Sequence, residues 1–249
     1  MSLFTRQYWE ETFRNQFVLL GTVLGIALIV CTLIAAGVAS HLKSLNDTLS
    51  VTGSAQSEVQ ADSVKWSFQI SRTVGLDGIG TGNTGVSNDL SAVRAFLKSH
   101  QVPDSEITVD PVMTNQTYGN NGTPNGYTLS RTIIINSKRV ADIGALAQDL
   151  SPLSNQGIVV QANAPEYYYS KLSDIRVTLL RDAVKDAKTR ADAIAVEGGQ
   201  HVGRMQSSSS GIVQVLAPNS VNIDDYGQYD TSSVTKEVMV TVHATFYVN

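Results

Sequence analysis

Residues 64–71, VKWSFQIS, decide the fold class of this chain. Apolar side chains occupy every second position from 64 to 70 and alternate with polar ones, which is typical of a strand with one covered and one wet face. Residues 234–248 show the same alternation near the carboxyl end. Because buried parallel strands are apolar throughout, these two runs favour a mainly antiparallel sheet.

A second periodicity, of about four residues, predicts helices. The clearest pattern is a long helix from residue 166 or 170 to residue 197, followed by Gly198 and Gly199 as its C-terminal cap. Its apolar stripe is predicted to contain Ala183, Ala187, Ala191 and Ala195, together with Ile175, Leu179, Val184 and Ile194. Shorter helices are predicted from residue 87 or 88 to residue 100 and over residues 140–150.

Further strands are predicted over residues 49–55, 107–112, 127–136, 157–161 and 213–216, with a long hairpin formed by residues 107–136. Strands and helices are therefore mixed along the chain. This order predicts an α+β fold, in which a mixed, mainly antiparallel sheet carries helices on one face. We expect one domain or two lobes, with a boundary near residues 152–157.

The amino-terminal part differs from the rest, because residues 16–40 contain no charge. An apolar helix over residues 17–39 would be about 35 Å long and could cross a hydrocarbon layer of about 30 Å. We therefore predict a short segment 1–16, a single transmembrane helix 17–39 that contacts membrane lipid, a linker 40–48 and an α+β domain 49–249. A signal peptide is the alternative: its apolar region usually has about 7–15 residues, but Gly37 and Ala39 fit a cleavage pattern.

Basic residues give the orientation of this helix. Arg6 and Arg14 precede the predicted span and Lys43 follows it, which favours an amino end inside and a carboxyl domain outside. Within the span, Gly21 and Gly25 form a small-xxx-small pattern, which allows two membrane helices to approach closely. They are candidate residues for helix packing between copies.

Composition excludes several classes of function. The 18 basic and 22 acidic residues give a net charge of −4, so the basic surplus of a nucleic-acid-binding protein is absent. One cysteine, Cys31, excludes an internal disulfide and cysteine-rich zinc sites. The four histidines are too scattered to form a local metal pair, and there is no nucleophile elbow. We predict no catalytic, cofactor or metal residues, and therefore no enzyme.

One glycine motif tests that prediction. Gly80, Gly82 and Gly85 match the G-x-G-x-x-G spacing of dinucleotide sites. The preceding strand alternates, however, and residues 75–79 separate it from the motif, whereas the fingerprint should follow a buried parallel strand directly. We interpret residues 75–85 as a glycine-rich loop. A nucleotide-dependent enzyme is retained only as a third hypothesis.

Two aromatic segments are candidate contact sites for a partner. Asp224, Asp225, Tyr226 and Tyr229 lie in an acidic segment that also contains Asp230, and a solvated loop is the alternative interpretation. Tyr167, Tyr168 and Tyr169 form either a contact patch or the start of a helix packed on the sheet, because aromatic clusters are enriched in cores and in interfaces.

The outer part of the chain resembles the SIMPL-domain family. The similarity rests on residues 49–55 (LSVTGSA), residues 107–111 (ITVDP), Tyr118, and the pair Gly126 and Tyr127. Its most specific part is the series of alanines from 183 to 195, followed by Gly199, Val202 and Gly203. It covers about residues 48–248. Ala61 precedes Asp62 where the family often has proline, which removes a rigid turn.

The resemblance implies a bacterial envelope protein of poorly defined biochemistry. Some members form ring-like or channel-like homo-oligomers, some are linked to oxidative-stress defence, and no catalytic residues carry over. Our first hypothesis is a non-enzymatic protein of the bacterial inner membrane, whose outer domain is periplasmic or extracellular and self-assembles. The second hypothesis is a ligand- or partner-binding module that uses the glycine-rich segment or the acidic tyrosine segment.

Overall fold

The computed structural model describes residues 3–44, 47–220 and 227–249, with side chains from residue 18 onward except at 40–46. Helix α1, Leu3–Ser44, is 42 residues long and continues into the segment predicted as a linker. It contains Val18–Ala39, an apolar stretch of 22 residues with a mean hydropathy of 2.7 and no buried side chain. Membrane anchors and signal sequences both have this length and composition.

The remaining described elements mix strands and helices along the chain, with several strands following one another directly. They are, in order, β1 (Thr48–Gln60), β2 (Ser63–Val74), α2 (Ile79–Ser99), β3 (Ile107–Val109), β4 (Met113–Tyr118), β5 (Pro124–Ser137), α3 (Val140–Leu146), α4 (Ser151–Ser154), β6 (Val159–Ala162), β7 (Glu166–Tyr168), α5 (Leu172–Glu197), β8 (Val202–Ser210), β9 (Gln214–Leu216) and β10 (Thr235–Val248). This order, with antiparallel strand pairs in both sheets, confirms the predicted α+β class.

The strands form two sheets. A four-stranded sheet has the order β1-β10-β8, with β9 also paired to β10. A six-stranded sheet has the order β3-β5-β2-β6, with β4 on β5 and β7 on β2. The long antiparallel pair of β2 and β5 forms the centre of the second sheet, and β4 with β5 forms the predicted hairpin.

The chain divides into two compact units, described here separately. One consists of residues 1–53, 185–209 and 243–249, and the other of residues 54–184 and 210–242. The predicted lobe boundary near residues 152–157 stays a prediction. Strands β1 and β10 and helix α5 each contribute residues to both units.

The unit formed by residues 54–184 and 210–242 contains an extensive core built on β2. The inward side chains of β2, which include Trp66 and Phe68, are fully buried under α2, α3 and α4. This is the covered face that the alternation of residues 64–70 predicts, and Lys65 and Ser67 lie on the opposite face. A smaller core in the same unit contains Leu179 of α5 and Val238 and Val240 of β10.

Helix α5 matches its prediction in most respects. It ends at Glu197, and Gly199 adopts a positive φ of 70° beyond it. The alanine stripe is buried at all four positions. Ile194 does not lie on that stripe, contrary to the prediction: its side chain is 53% exposed, because it precedes the stripe residue Ala195 by one position and so lies about 100° away around the helix.

Three other predictions about elements are wrong. Helix α2 begins at Ile79 and not at residue 87, so most of the predicted glycine loop is helical. Residues 166–168 form strand β7, so the earlier of the two predicted starts of α5 is wrong, whereas the later one, residue 170, lies two positions before Leu172. Strand β8 was missed, since eight of its nine residues are exposed and its serine-rich sequence gives no alternating pattern.

Candidate partner-binding surface

The three consecutive tyrosines lie at one edge of the six-stranded sheet. Strand β7 pairs with the start of β2, so that Tyr168 is opposite Ser63 and Tyr167 is opposite Val64. Tyr167 packs against the buried core of this unit. Tyr167 thus packs on the core as one interpretation predicted, but from a strand and not from a helix, whereas Tyr168 and Tyr169 are not part of that core. The contact-patch interpretation stays a prediction.

The structure brings Tyr229 to these tyrosines, although it is about sixty positions away in the sequence. The rings of Tyr168 and Tyr229 have centroids 5.9 Å apart. The amide of Tyr169 donates to the Tyr229 hydroxyl oxygen at 2.9 Å, and the amide of Tyr167 donates to the carbonyl of Thr231 at 2.8 Å. We call Tyr168, Tyr169 and Tyr229 the tyrosine surface. The other candidates, Asp224, Asp225 and Tyr226, lie outside the described residues.

A buried lysine fixes the segment that carries Tyr229. Lys236 has no exposed surface, and its Nζ donates to the carbonyls of Asp230 at 2.5 Å and Ser233 at 2.8 Å. The same Nζ lies 3.6 Å from the Asp230 carboxylate and 5.7 Å from the centroid of the Tyr229 ring. Burial lowers the pKa of Lys236, and attraction to Asp230 opposes that effect only in part.

Asp230 is the anionic partner in this cluster. Its carboxylate accepts hydrogen bonds from the hydroxyl and amide groups of both Ser232 and Ser233. Burial acts to raise the pKa of Asp230, but these hydrogen bonds outweigh it and hold the pKa well below its usual range. Asp230 is therefore an ionised structural residue. It is not a general acid at neutral pH.

Tyr168 is connected to charged groups on the open face of the sheet. Its hydroxyl donates to Glu166 Oε2 at 2.6 Å, and Lys65 Nζ lies 3.8 Å from the same oxygen. The hydrogen bond to Glu166, burial and nearby negative charge together raise the pKa of Tyr168 to about 12. Tyr168 is thus a hydrogen-bond donor at any physiological pH, and it is not a base or a nucleophile.

A cavity of about 480 Å³ lies beside Tyr168. Its polar lining comes from Ser63, Lys65, Glu106, Asn136, Ser137, Lys138 and Tyr168. Glu106 Oε2 is buried and has no hydrogen-bond partner among the described residues. The cavity can therefore offer amide, hydroxyl and ammonium groups and an aromatic ring, which suits binding by hydrogen bonds and ring contacts.

The glycine motif does not form a phosphate loop. Gly80, Gly82 and Gly85 all lie inside α2. A Cβ at Gly82 would lie 2.6 Å from Leu129 Cδ1, and one at Gly85 would lie 2.6 Å from Arg72 Cδ. The sequence needs glycine at these two positions because the helix packs directly on the sheet, which is the physical reason why the loop prediction is wrong.

Next to these glycines, α2 is tied to β2 by an ion pair. Arg72 donates from Nε and Nη2 to the two carboxylate oxygens of Asp89 at 2.6 and 2.7 Å. Asp89 is only 4% exposed, and its hydrogen bonds raise the pKa of Arg72 above the ordinary value. This bidentate pair neutralises a buried carboxylate, so its role is structural.

Other candidate sites can be placed as well. Within the described parts of the chain, no group of three or more His, Cys, Asp or Glu side chains is arranged to hold a metal ion. Gly21 and Gly25 lie one turn apart on α1, and a Cβ on either would meet no other atom within 4 Å. Cys31 is exposed on the same apolar helix.

Comparison with known proteins places the chain in a family. No curated protein matches it. The model of the SIMPL family, described as a protein of unknown function (DUF541), matches residues 49–246. The match covers both sheets and ends just before the last residues of β10. The chain therefore belongs to the SIMPL family, as the alanine series and the opening strand of the domain predicted.

Proposed function

We propose that this protein is a membrane-anchored scaffold of the bacterial cell envelope that self-assembles into a homo-oligomer and catalyses no reaction. The observation that carries the proposal is the apolar helix Val18–Ala39, which has no buried side chain and is joined to the SIMPL domain. A helix of this kind needs lipid or another helix to cover it. Gly21 and Gly25 provide a face on which a second copy could pack closely.

The proposed location follows from the same helix. With Arg6 and Arg14 before the span and Lys43 after it, the amino end would stay in the cytoplasm. The SIMPL domain would then lie in the periplasm or outside the cell, attached to the inner membrane by a single span. Intact mass of the membrane-extracted protein tests this: the full chain is expected, and a chain that begins after Ala39 would indicate a cleaved signal sequence.

Two observations support a role without catalysis. The charged groups around the tyrosine surface are occupied by structural contacts, since Lys236 binds two backbone carbonyls and Asp230 accepts bonds from two serines. The cysteine lies in the apolar helix, where a reactive thiolate is unfavourable. If the protein contributes to defence against envelope or oxidative stress, it would do so by binding or assembly and not by thiol chemistry.

Self-assembly can be tested on the purified full-length chain in mild detergent. Mass photometry over nanomolar to micromolar concentrations is expected to give one or a few discrete species larger than the detergent-bound monomer. Chemical cross-linking in native membranes, before any detergent is added, controls for dissociation during extraction. A monomer in both measurements would contradict the proposal.

The tyrosine surface favours a second function, binding of another envelope component. Tyr168 and Tyr229 are in contact, Tyr229 is 38% exposed, and a cavity of about 480 Å³ lies beside Tyr168. Exposed aromatic side chains held by a rigid support are typical of contact sites.

Cross-linking mass spectrometry in native membranes can test this binding. A photo-reactive residue at position 228, which is exposed beside Tyr229, is expected to capture a partner, and Tyr229→Ser is expected to reduce that capture. Tyr247→Ser serves as the matched control, because Tyr247 lies in the other unit. Capture that is equal in both variants would remove this second candidate.

A further inference from the structure

Strand β4 forms an open edge of the six-stranded sheet. Among the described strands it pairs with β5 alone, in regular register from Met113 opposite Ser130 to Thr117 opposite Gly126. The register shifts between Thr117 and Tyr118, next to the turn of the hairpin. Residues 113–117 therefore present five consecutive regular positions whose outer backbone groups have no partner strand in the described chain.

This edge lacks the features that normally prevent strands from pairing between molecules. No charged residue occurs from position 111 to position 130, so β4, the turn and the first half of β5 are all uncharged. β4 itself contains no proline. Natural edge strands are usually protected by lysine, other charges, proline or a covering element. The side chains of Met113 and Tyr118 are 59% and 61% exposed, so no other part of the described chain covers this strand.

We propose that β4 pairs antiparallel with β4 of a second copy of this chain, around a two-fold axis at Asn115. The proposal rests on the self-assembly proposed above and names the surface that forms it. A two-fold axis between antiparallel strands pairs one residue with itself and makes the contact self-complementary. Asn115 is the midpoint of the regular positions 113–117, so this register uses all of them.

The side chains agree with this register. Asn115 lies opposite its own copy, Thr114 opposite Gln116, and Met113 opposite Thr117. These are uncharged pairs of amide, hydroxyl and apolar side chains, which stabilise cross-strand contacts by modest amounts. The exposed ring of Tyr118 lies opposite Val112. No like charges meet, because the nearest charged residues are Asp110 and Arg131.

A second copy fits this edge better than a strand of another protein does. Recognition of a foreign strand draws its specificity from pockets and charges along the edge. The cavity beside Tyr168 is not lined by any β4 residue, and β4 has no charge. The β4 edge can form backbone hydrogen bonds, and its side chains are compatible with those of an antiparallel second copy of β4. Anchored copies also encounter each other often, because they share one membrane.

Engineered cysteines can test this register in native membranes. In a Cys31→Ser background, Asn115→Cys is expected to form a disulfide-linked dimer in high yield under mild oxidation, since directly opposite residues are within disulfide reach. Met113→Cys alone is the register control. Its two copies would be displaced by four positions, about 13 Å, and are expected not to cross-link. Co-expressed Met113→Cys and Thr117→Cys chains are expected to cross-link with each other.

A lysine introduced on the outer edge of β4 provides the second test of strand pairing, through its effect on association. Thr114→Lys is expected to weaken association of the full chain at least tenfold in detergent, and Thr189→Lys, at another exposed threonine on α5, is expected to leave it unchanged. Circular dichroism should show both variants folded. An intact oligomer for Thr114→Lys together with no Asn115→Cys cross-link would overturn strand pairing but leave self-assembly standing. A monomeric parent chain would overturn both.

Discussion

Lys236 is the residue that sequence reasoning missed most clearly. The alternation of β10 places it in the same row as Val238, Val240 and Val242, so a charged residue in an apolar row was visible in the sequence. Its partners were not, because the hydrogen bonds depend on how residues 230–233 turn above the strand. A charge on the covered face of a strand indicates a buried polar contact, but the pattern does not say with what.

Removing this lysine should be strongly destabilising. Lys236→Met keeps most of the volume but leaves the carboxylate of Asp230 without its cation, and we expect a loss of about 3–5 kcal/mol in the free energy of unfolding. Denaturant unfolding of the full chain in detergent, followed by near-UV circular dichroism, measures it. Lys188→Met, which breaks the exposed pair with Asp192, should change stability by less than about 1 kcal/mol. Equal effects would contradict the structural role of Lys236.

The hydrogen bond between Tyr168 and Glu166 predicts a pH dependence. The pKa of Tyr168 is raised to about 12 in the folded protein and is about 10 in an unfolded chain. The stability that this shift contributes is therefore complete below pH 10 and is lost as the pH rises from 10 to 12. Tyrosine absorbance at 295 nm should show the late titration of Tyr168. Glu166→Gln should move that group to lower pH, whereas a titration unchanged by the substitution would exclude the contact.

At the scale of elements, the start of α2 shows where local sequence patterns no longer predict the secondary structure. Three glycines in six residues are typical of a loop, and the helix forms there because glycine lets it approach Leu129 and Arg72 of the sheet. Tertiary packing overrides local propensity at this position. Strand β7 was misassigned for a related reason, since its pairing with β2 is a long-range contact that the three tyrosines do not reveal.

Two glycine-to-alanine substitutions in α2 distinguish the effect of packing against the sheet from the effect of helix propensity on stability. Gly82→Ala would place a Cβ 2.6 Å from the fully buried Leu129, and we expect it to destabilise the fold by about 1–3 kcal/mol. Gly80→Ala meets no atom within 4 Å and should stabilise it by up to about 1 kcal/mol, through the higher helix propensity of alanine. Thermal unfolding of both variants shows whether each substitution raises or lowers the stability of the fold. A stabilising Gly82→Ala would show that residues 79–85 are not packed as a helix on the sheet.

At the scale of the whole molecule, the family and the apolar helix could be predicted because each shows a pattern within one continuous stretch of sequence. The alanine series repeats every four residues, and the uncharged stretch is continuous. The tyrosine surface could not be assembled in this way: Tyr169 and Tyr229 are sixty positions apart, and only the described fold brings the amide of one to the hydroxyl of the other. The sequence therefore identifies the aromatic candidates, and the structure shows which of them are in contact.

The membrane helix carries the last prediction, because it decides whether association depends on the anchor or on the domain alone. Gly21→Ile and Gly25→Ile would each add a branched side chain to the face that allows close helix approach, and we expect association to weaken about tenfold, equivalent to about 1.4 kcal/mol. Gly37→Ile is the matched control, since Gly37 lies about 120° around the helix from Gly25. Mass photometry of the three variants compares them at equal concentration. If all three associate like the parent chain, the helix only tethers the protein, and contacts of the SIMPL domain alone must hold the copies together.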